Sequence, residues 1–117
     1  MQTIFDRLSE LRDMIRNKGF WDTLNILNEY RNIREGISVH DFFGILNTYS
    51  FYNSFYRVKQ ELLSYKIIEI YVNSKYKKKL IRLTEKGKEI YDILTHLKNC
   101  IELQKTEKRD PFNFELG

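Results

Sequence analysis

The sequence predicts an α+β fold that is mainly α-helical with one small β-hairpin, and three observations support this. The 117 residues are enough for one compact domain and too few for two ordinary ones. Apolar residues recur at steps of three and four over most of the chain, which is typical of amphipathic helices. The period changes to two only from residue 68, where two short alternating segments flank a polar tip.

The composition is that of a folded protein without a membrane segment. Hydrophobic residues make up 42% and charged residues 31% of the chain, which fits a soluble domain better than a disordered one. No apolar run approaches the roughly 18 residues that a membrane span needs. The first residues lack the apolar core of a signal peptide. These features predict a cytoplasmic protein.

The single cysteine excludes a disulfide framework and a multi-cysteine zinc site. Cys100 is interpreted as a small apolar residue on a helix. The alternative is a symmetric disulfide across a dimer axis. No metal or cofactor is expected.

Two helices are predicted at the start of the chain. The first covers residues 3–18, with Lys18-Gly19 as its C-terminal stop, and the second covers 21–35 and ends at Gly36. The apolar seam of the first helix consists of Ile4, Leu8, Leu11 and Ile15.

A short strand and a third helix follow. Ile37 is the candidate strand residue, and Ser38 with Asp41 has the spacing of a capping box that opens a helix over 39–46. Gly44 lies inside this helix, where glycine costs about 1 kcal/mol relative to alanine. Close approach of a neighbouring helix would justify that cost.

A fourth helix is predicted over residues 51–65. Its buried face consists of Phe55, Val58, Leu62 and Tyr65. Its polar face consists of Asn53, Ser54, Tyr56, Arg57, Lys59 and Gln60.

The hairpin comes next. Ile68, Ile70 and Val72 alternate with polar residues and predict a strand with one buried face, and Leu80–Leu83 predicts its partner. The polar tip at 73–79 carries four lysines, Lys75, Lys77, Lys78 and Lys79.

Thr84 is predicted to cap a final helix over 85–104, followed by a C-terminal tail at 105–117. Its apolar stripe consists of Ile90, Ile93, Leu94, Leu97 and Ile101.

The positive charge is concentrated in one part of the chain. Residues 57–88 carry a net charge of +7, whereas 1–56 carry −1 and 89–117 carry −2. A localised basic block is typical of a nucleic-acid surface. The alternative is a solvated face without a partner.

The order of elements from residue 21 onward resembles the winged helix-turn-helix domain, most closely the MarR-like transcription regulators. The local matches are Tyr56-Arg57-Val58, Leu62, Ile67-Ile68 and the run Leu83-Thr84-Glu85-Lys86-Gly87-Lys88-Glu89-Ile90. Lys66 stands where the family usually has glycine. The resemblance implies a winged helix-turn-helix with extra N-terminal and C-terminal helices.

The resemblance implies sequence-specific binding of double-stranded DNA, with 51–65 as the recognition helix in the major groove. Asn53, Arg57 and Gln60 have the chemistry for base edges. Ser54, Tyr56 and Lys59 suit phosphates, and the lysines of 73–79 form a phosphate-binding wing.

The first and last helices, 3–18 and 85–104, are predicted to form a homodimer interface. The alternative is that both helices pack against the domain of their own chain. Two-fold pairing would place two recognition helices about 34 Å apart. The predicted interface residues are Ile4, Leu8, Leu11, Ile15, Ile93, Leu97, Cys100 and Ile101.

Other classes of function are weighed against this one. His40 and His96 are interpreted as surface residues, and no catalytic constellation points to an enzyme. One alternative is a winged helix that binds another protein. Four aromatic residues would suit such an interface: Phe51, Tyr52, Tyr56 and Tyr76. A non-specific architectural DNA-binding protein is another. The amino-acid composition is typical of a protein encoded by an AT-rich genome, which favours an archaeal or viral source.

Overall fold

The computed structural model describes the backbone of residues 4–49 and 52–116, and the side chains of residues 9–49 and 53–101. Within these residues the chain forms five helices and a three-stranded antiparallel sheet, which confirms the predicted mainly helical α+β class. The elements are α1 (Ile4–Arg16), α2 (Lys18–Glu29), β1 (Ile37–Ser38), α3 (Val39–Leu46), α4 (Tyr52–Ser64), β2 (Ile68–Val72), β3 (Lys79–Leu83) and α5 (Glu85–Leu116).

The sheet has the order β1-β3-β2, so the last strand in the chain lies in the middle. Ile81 of β3 is the partner of Ile37 on one side and of Ile70 on the other. Ile81 is fully buried, but Val72 is 60% exposed, so the prediction of one buried face for the whole of β2 was wrong at its end. Val72 pairs with Lys79 next to the hairpin tip, at the end of the sheet away from buried Ile68.

The boundary between α1 and α2 differs from the prediction. Asn17 caps α2 by accepting a hydrogen bond from the Gly19 N–H at 2.8 Å, so Lys18-Gly19 begins a helix instead of ending one. A Cβ on Gly19 would lie 2.1 Å from the Ser54 carbonyl oxygen. The glycine therefore permits the backbones of α2 and α4 to come together.

The second helix also ends earlier than predicted, at Glu29. Residues 30–35 form turns in which each bonded amide reaches three residues back, such as Ile33 N–H to Tyr30 O at 3.0 Å. Gly36 has a φ of +79°, which glycine adopts without strain, and it leads into β1.

Gly44 does not have the close neighbour that the sequence predicted. No atom lies within 4 Å of a Cβ built on this residue, because Gly44 is on the exposed side of α3. Among the glycines inside helices, the close approaches are made at Gly19 and at Gly87 instead.

The core lies between α2, α3, α4 and the sheet. Ser38 caps α3 by accepting the Asp41 N–H at 3.0 Å, as predicted, and this helix contributes Phe42 and Leu46. The rings of Phe42 and Phe55 meet edge to face with centroids 5.1 Å apart. The largest fully buried side chains are Phe20, Phe42, Phe55, Leu24, Leu27, Leu46, Leu62, Ile67, Ile81 and Thr23.

Helix α5 begins as predicted and extends further. Thr84 Oγ1 accepts the Gly87 N–H at 2.9 Å, which confirms the cap. The helical backbone continues to Leu116, so the predicted end of the helix at residue 104 was wrong. Lysine, glutamate, glutamine and arginine are good helix formers and favour the extension over 102–109. Pro111 lies inside the remaining part of the helix, where composition does not explain its course.

The first turns of α5 are bound to α2 and the turns that follow it. Tyr91 donates to Asn25 Oδ1 at 2.7 Å, and Arg31 binds Asp92 through two N–H···O bonds of 2.7 and 3.1 Å. The Arg31 guanidinium lowers the pKa of the Asp92 carboxyl, chiefly through these hydrogen bonds. This geometry fixes the direction in which α5 leaves the domain.

Candidate nucleic-acid interface

Helix α4 has one face in the core and one face exposed. Phe55, Val58 and Leu62 are buried, as predicted. Four of its exposed side chains are spaced at three and four residues and therefore share one face: Asn53, Tyr56, Arg57 and Gln60. Glu61 and Ser64, further along the helix, are exposed as well. Four of the six predicted contact residues on this helix thus lie together at the surface.

The other two predicted residues of α4 are less accessible. Ser54 lies at the contact with α2, where its Cβ would be 3.0 Å from a Cβ on Gly19. Lys59 is half-buried, with its Nζ 5.4 Å from the centroid of the Tyr56 ring. Ser54 is therefore poorly placed for a phosphate, whereas the Lys59 ammonium lies beside the exposed face.

Tyr56 connects this face to α3. Its ring is 50% exposed and stacks on Phe43 with centroids 5.9 Å apart and an interplanar angle of 24°. The Lys59 ammonium group also lies over this ring, so the ring has a defined position at the surface. A ring held by two neighbours loses little conformational freedom when a ligand covers it.

A cleft between α1 and α4 borders the exposed face. Its volume is about 560 Å³, and both Arg57 and Gln60 line it. The carboxylates of Glu10, Asp13 and Glu61 line it too. These groups lower the positive potential around Arg57. Sequence reasoning missed Glu10 and Asp13, because they lie on another helix and their contact leaves no mark in local spacing. Glu61 follows Arg57 by four residues on the same helix, a spacing that could have revealed it.

The hairpin tip, residues 73–79, is a closed turn organised by Asn73. The Asn73 side-chain oxygen accepts from the Lys75 and Tyr76 N–H groups at 2.8 and 3.3 Å. Its backbone carbonyl accepts from Lys77 N–H at 2.7 Å, and its N–H donates to Lys78 O at 2.8 Å. An asparagine that bonds the backbone after it is a common turn former. The tip thus has a defined shape.

The predicted lysines of the tip are all at the surface. Lys75, Lys77, Lys78 and Lys79 are exposed, and none of them forms an ion pair within the part of the chain whose side chains are described. Lys78 and Lys79 line a shallow cavity of about 530 Å³ together with Asp41 at the start of α3. The tip therefore lies beside the N-terminus of α3.

Other cations of the basic block have structural partners. Arg82 donates to Glu69 Oε2 from Nε and Nη2, at 3.1 and 3.0 Å, and to the Arg34 carbonyl at 2.7 Å. Lys88 binds Glu85 at 2.9 Å and lowers the pKa of that carboxyl. The net charge of residues 57–88 thus overstates the charge available to a ligand, and the hairpin tip is its most accessible part.

The predicted dimer residues fall into two groups. Leu11 and Ile15 are partly buried against the core of their own chain. Ile93, Leu97 and Ile101 are 59%, 52% and 54% exposed and follow one another at steps of four along α5. The side chains of Ile4 and Leu8 lie outside the described residues. Among the predicted interface residues whose side chains the structure describes, the exposed apolar ones therefore belong to α5.

The remaining predicted features are at the surface as well. Cys100 is exposed, with its Sγ 3.7 Å from His96 Nε2. His40 and His96 are exposed, as predicted. Among the described side chains, no three His, Cys, Asp or Glu residues are grouped to hold a metal ion. In the same part of the chain, every helix is too short or too polar to cross a membrane.

Comparisons of the chain with protein-family models, with curated proteins and with solved structures found no match. The fold and these surfaces define an α+β domain with an exposed polar helix face and a cationic hairpin tip.

Proposed function

We propose that this protein is a winged-helix DNA-binding protein of the MarR-like type. From α2 onward the elements follow the order helix, strand, two helices, hairpin and helix, with β1 paired to the second hairpin strand. This arrangement and the Leu83–Ile90 run are what the resemblance requires. In this proposal α4 enters the major groove and the hairpin is the wing.

The observation that carries the proposal is the exposed polar face of α4. Asn53, Arg57 and Gln60 project from a helix whose other side is fixed in the core. Arginine can bind guanine through two hydrogen bonds, and asparagine or glutamine can bind adenine in the same way. Each such pair contributes about 1–3 kcal/mol of discrimination between bases.

The wing supplies affinity in this proposal. Its four exposed lysines are point charges on flexible stems, which suit phosphates. Contacts of this kind fix the position of the protein on the duplex and carry no sequence information by themselves.

The proposed active form is a homodimer, paired through the exposed stripe of α5. Ile93, Leu97 and Ile101 leave a row of apolar side chains in water, and pairing with the same row of a second copy would bury both. A two-fold arrangement would present two α4 helices to successive major grooves about 34 Å apart.

The test is selection of bound duplexes from a random-sequence pool. A sequence-specific dimer enriches a pseudo-palindrome, and Arg57→Ala weakens binding to it by about 1–3 kcal/mol and relaxes the preference at one position of each half-site. Lys98→Gln is the control, since it removes a positive charge from an exposed position on α5 outside the basic block of residues 57–88. Binding without an enriched sequence would indicate an architectural protein, and no binding would contradict the proposal.

A further inference from the structure

Tyr76 at the hairpin tip is exposed. It is 65% accessible, the highest value among the large hydrophobic side chains that the structure describes. An exposed aromatic ring of this size is unfavourable in water, where it forgoes a large amount of apolar burial. Its position between Lys75 and Lys77, in the turn of the basic hairpin, suggests that a ligand covers it.

The turn presents this ring in a fixed way. Tyr76 N–H donates to Asn73 Oδ1, and the neighbouring Lys77 holds a φ of +53° with its N–H bonded to Asn73 O. A lysine in this left-handed conformation costs about 1 kcal/mol or more. The backbone around Tyr76 is thus ordered before any ligand binds, which lowers the entropy cost of using the ring as a contact.

The charge around the ring identifies the kind of ligand. Lys75 Nζ lies 5.4 Å from the Tyr76 centroid, and Val72, which is 60% exposed, provides a second apolar side chain at the end of β2. Two exposed apolar side chains on a hairpin that carries four lysines are complementary to a ligand that has apolar faces and a negatively charged backbone. Nucleic-acid bases between phosphates have this chemistry.

We propose that Tyr76 is a base-contacting residue, which stacks against a base at a step where the duplex opens. This inference rests on the proposed DNA-binding function and extends it, because the wing would then respond to how easily the DNA unstacks. Apolar side chains inserted between base steps are a known way for proteins to bend or kink a duplex. Easily unstacked pyrimidine–purine steps would be preferred under the wing.

The experiment compares binding to two labelled duplexes of about 20–30 base pairs. One is fully paired and the other has a short central mismatch, with 2-aminopurine as the base beside the mismatch, where its fluorescence reports the loss of stacking on its neighbour. The wild-type protein should prefer the mismatched duplex and increase the 2-aminopurine fluorescence. Tyr76→Ser should weaken binding to the mismatched duplex by about 5-fold to about 150-fold, and Tyr76→Phe should retain the preference.

Two readouts separate this inference from the DNA-binding proposal. Tyr76→Ser removes no charge, so the salt dependence of binding should stay as in the wild type, and thermal unfolding confirms that the variant is folded. If the wild-type protein binds neither duplex, the proposed function fails. If it binds and Tyr76→Ser has the same affinities and fluorescence response, the inference about Tyr76 is overturned and the proposed function stands.

Discussion

The carbonyl oxygen of Ile67 would lie 2.0 Å from a Cβ on Gly87, so any larger residue at position 87 collides with the chain that follows α4. The same carbonyl accepts the Thr84 N–H at 3.1 Å, and Thr84 Oγ1 accepts the Gly87 N–H at 2.9 Å. The end of α4 and the start of α5 are therefore joined through one backbone group. This explains in physical terms why the Leu-Thr-Glu-Lys-Gly run has threonine and glycine at this spacing.

A pair of glycine substitutions tests that contact. Gly87→Ala should lower the free energy of unfolding by about 1–3 kcal/mol, because the added methyl group displaces packed backbone. Gly44→Ala is the matched control, and it should raise stability by up to about 1 kcal/mol, because that helix position has open space around it. Urea unfolding of the two variants measures the difference, and effects of equal size and sign would contradict the structure.

Lys66 offers a stabilising substitution. It has a φ of +58° at the end of α4, where Ile67 N–H bonds Leu62 O at 2.9 Å and Lys66 N–H bonds Leu63 O at 3.0 Å. This bonding pattern is a helix C-cap that favours glycine. Lys66→Gly should raise the free energy of unfolding by about 1 kcal/mol. Lys66→Ala removes the same charge without relieving the strain, so an equal gain from alanine would rule out this explanation.

The Arg31–Asp92 pair predicts a pH dependence of stability. Hydrogen bonding to Arg31 lowers the pKa of Asp92 in the folded protein. The pair therefore contributes stability above the unfolded carboxyl pKa of about 3.9, and this contribution is lost as the pH falls through the lower folded value. Unfolding of the wild type and Asp92→Asn should differ at about pH 6 and converge toward about pH 2. A difference that does not change with pH would show that the charge of Asp92 has no role.

The apolar stripe of α5 predicts the oligomeric state. The wild-type protein should sediment as a dimer at micromolar concentration. Leu97→Lys should shift it toward the monomer, because dimerisation would bury the charged lysine in the interface between the two copies. Asn99→Lys adds the same charge at an exposed position on another side of the helix and should leave the dimer intact. A monomeric wild type, or equal effects of the two lysines, would exclude pairing through this stripe.

The features that the sequence predicted correctly depend on local interactions. The bounds of α3 and its cap at Ser38 follow from residues within one turn of each other, and so does the cap at Thr84. The hairpin follows from a change of period within a few residues. Such features can be predicted from the local sequence because the interacting residues are close together in the chain.

The features that it missed depend on partners far away in the chain. Gly19 was interpreted as a helix stop because glycine often ends helices, whereas its role is set by Ser54 on another helix. Glu10 binds the Tyr65 hydroxyl at 2.6 Å and so lines the cleft beside Arg57, a relationship that no local pattern contains. The candidate site was predictable as a set of exposed polar and basic residues, but the part of its acidic border that comes from α1, Glu10 and Asp13, was not.

The salt dependence of DNA binding tests the central claim most directly. The variant Lys75→Gln, Lys77→Asn and Lys78→Gln removes three charges from the hairpin tip, with asparagine chosen at 77 because it tolerates a positive φ. Affinity for duplex DNA should fall for every sequence, and the slope of log affinity against log salt should become shallower by about 0.9 for each phosphate that the hairpin no longer neutralises. Lys98→Gln removes an exposed charge outside the basic block of residues 57–88 and should leave the slope unchanged. If the triple variant has the wild-type slope, the hairpin does not bind the phosphate backbone and the proposed mode of DNA binding is wrong.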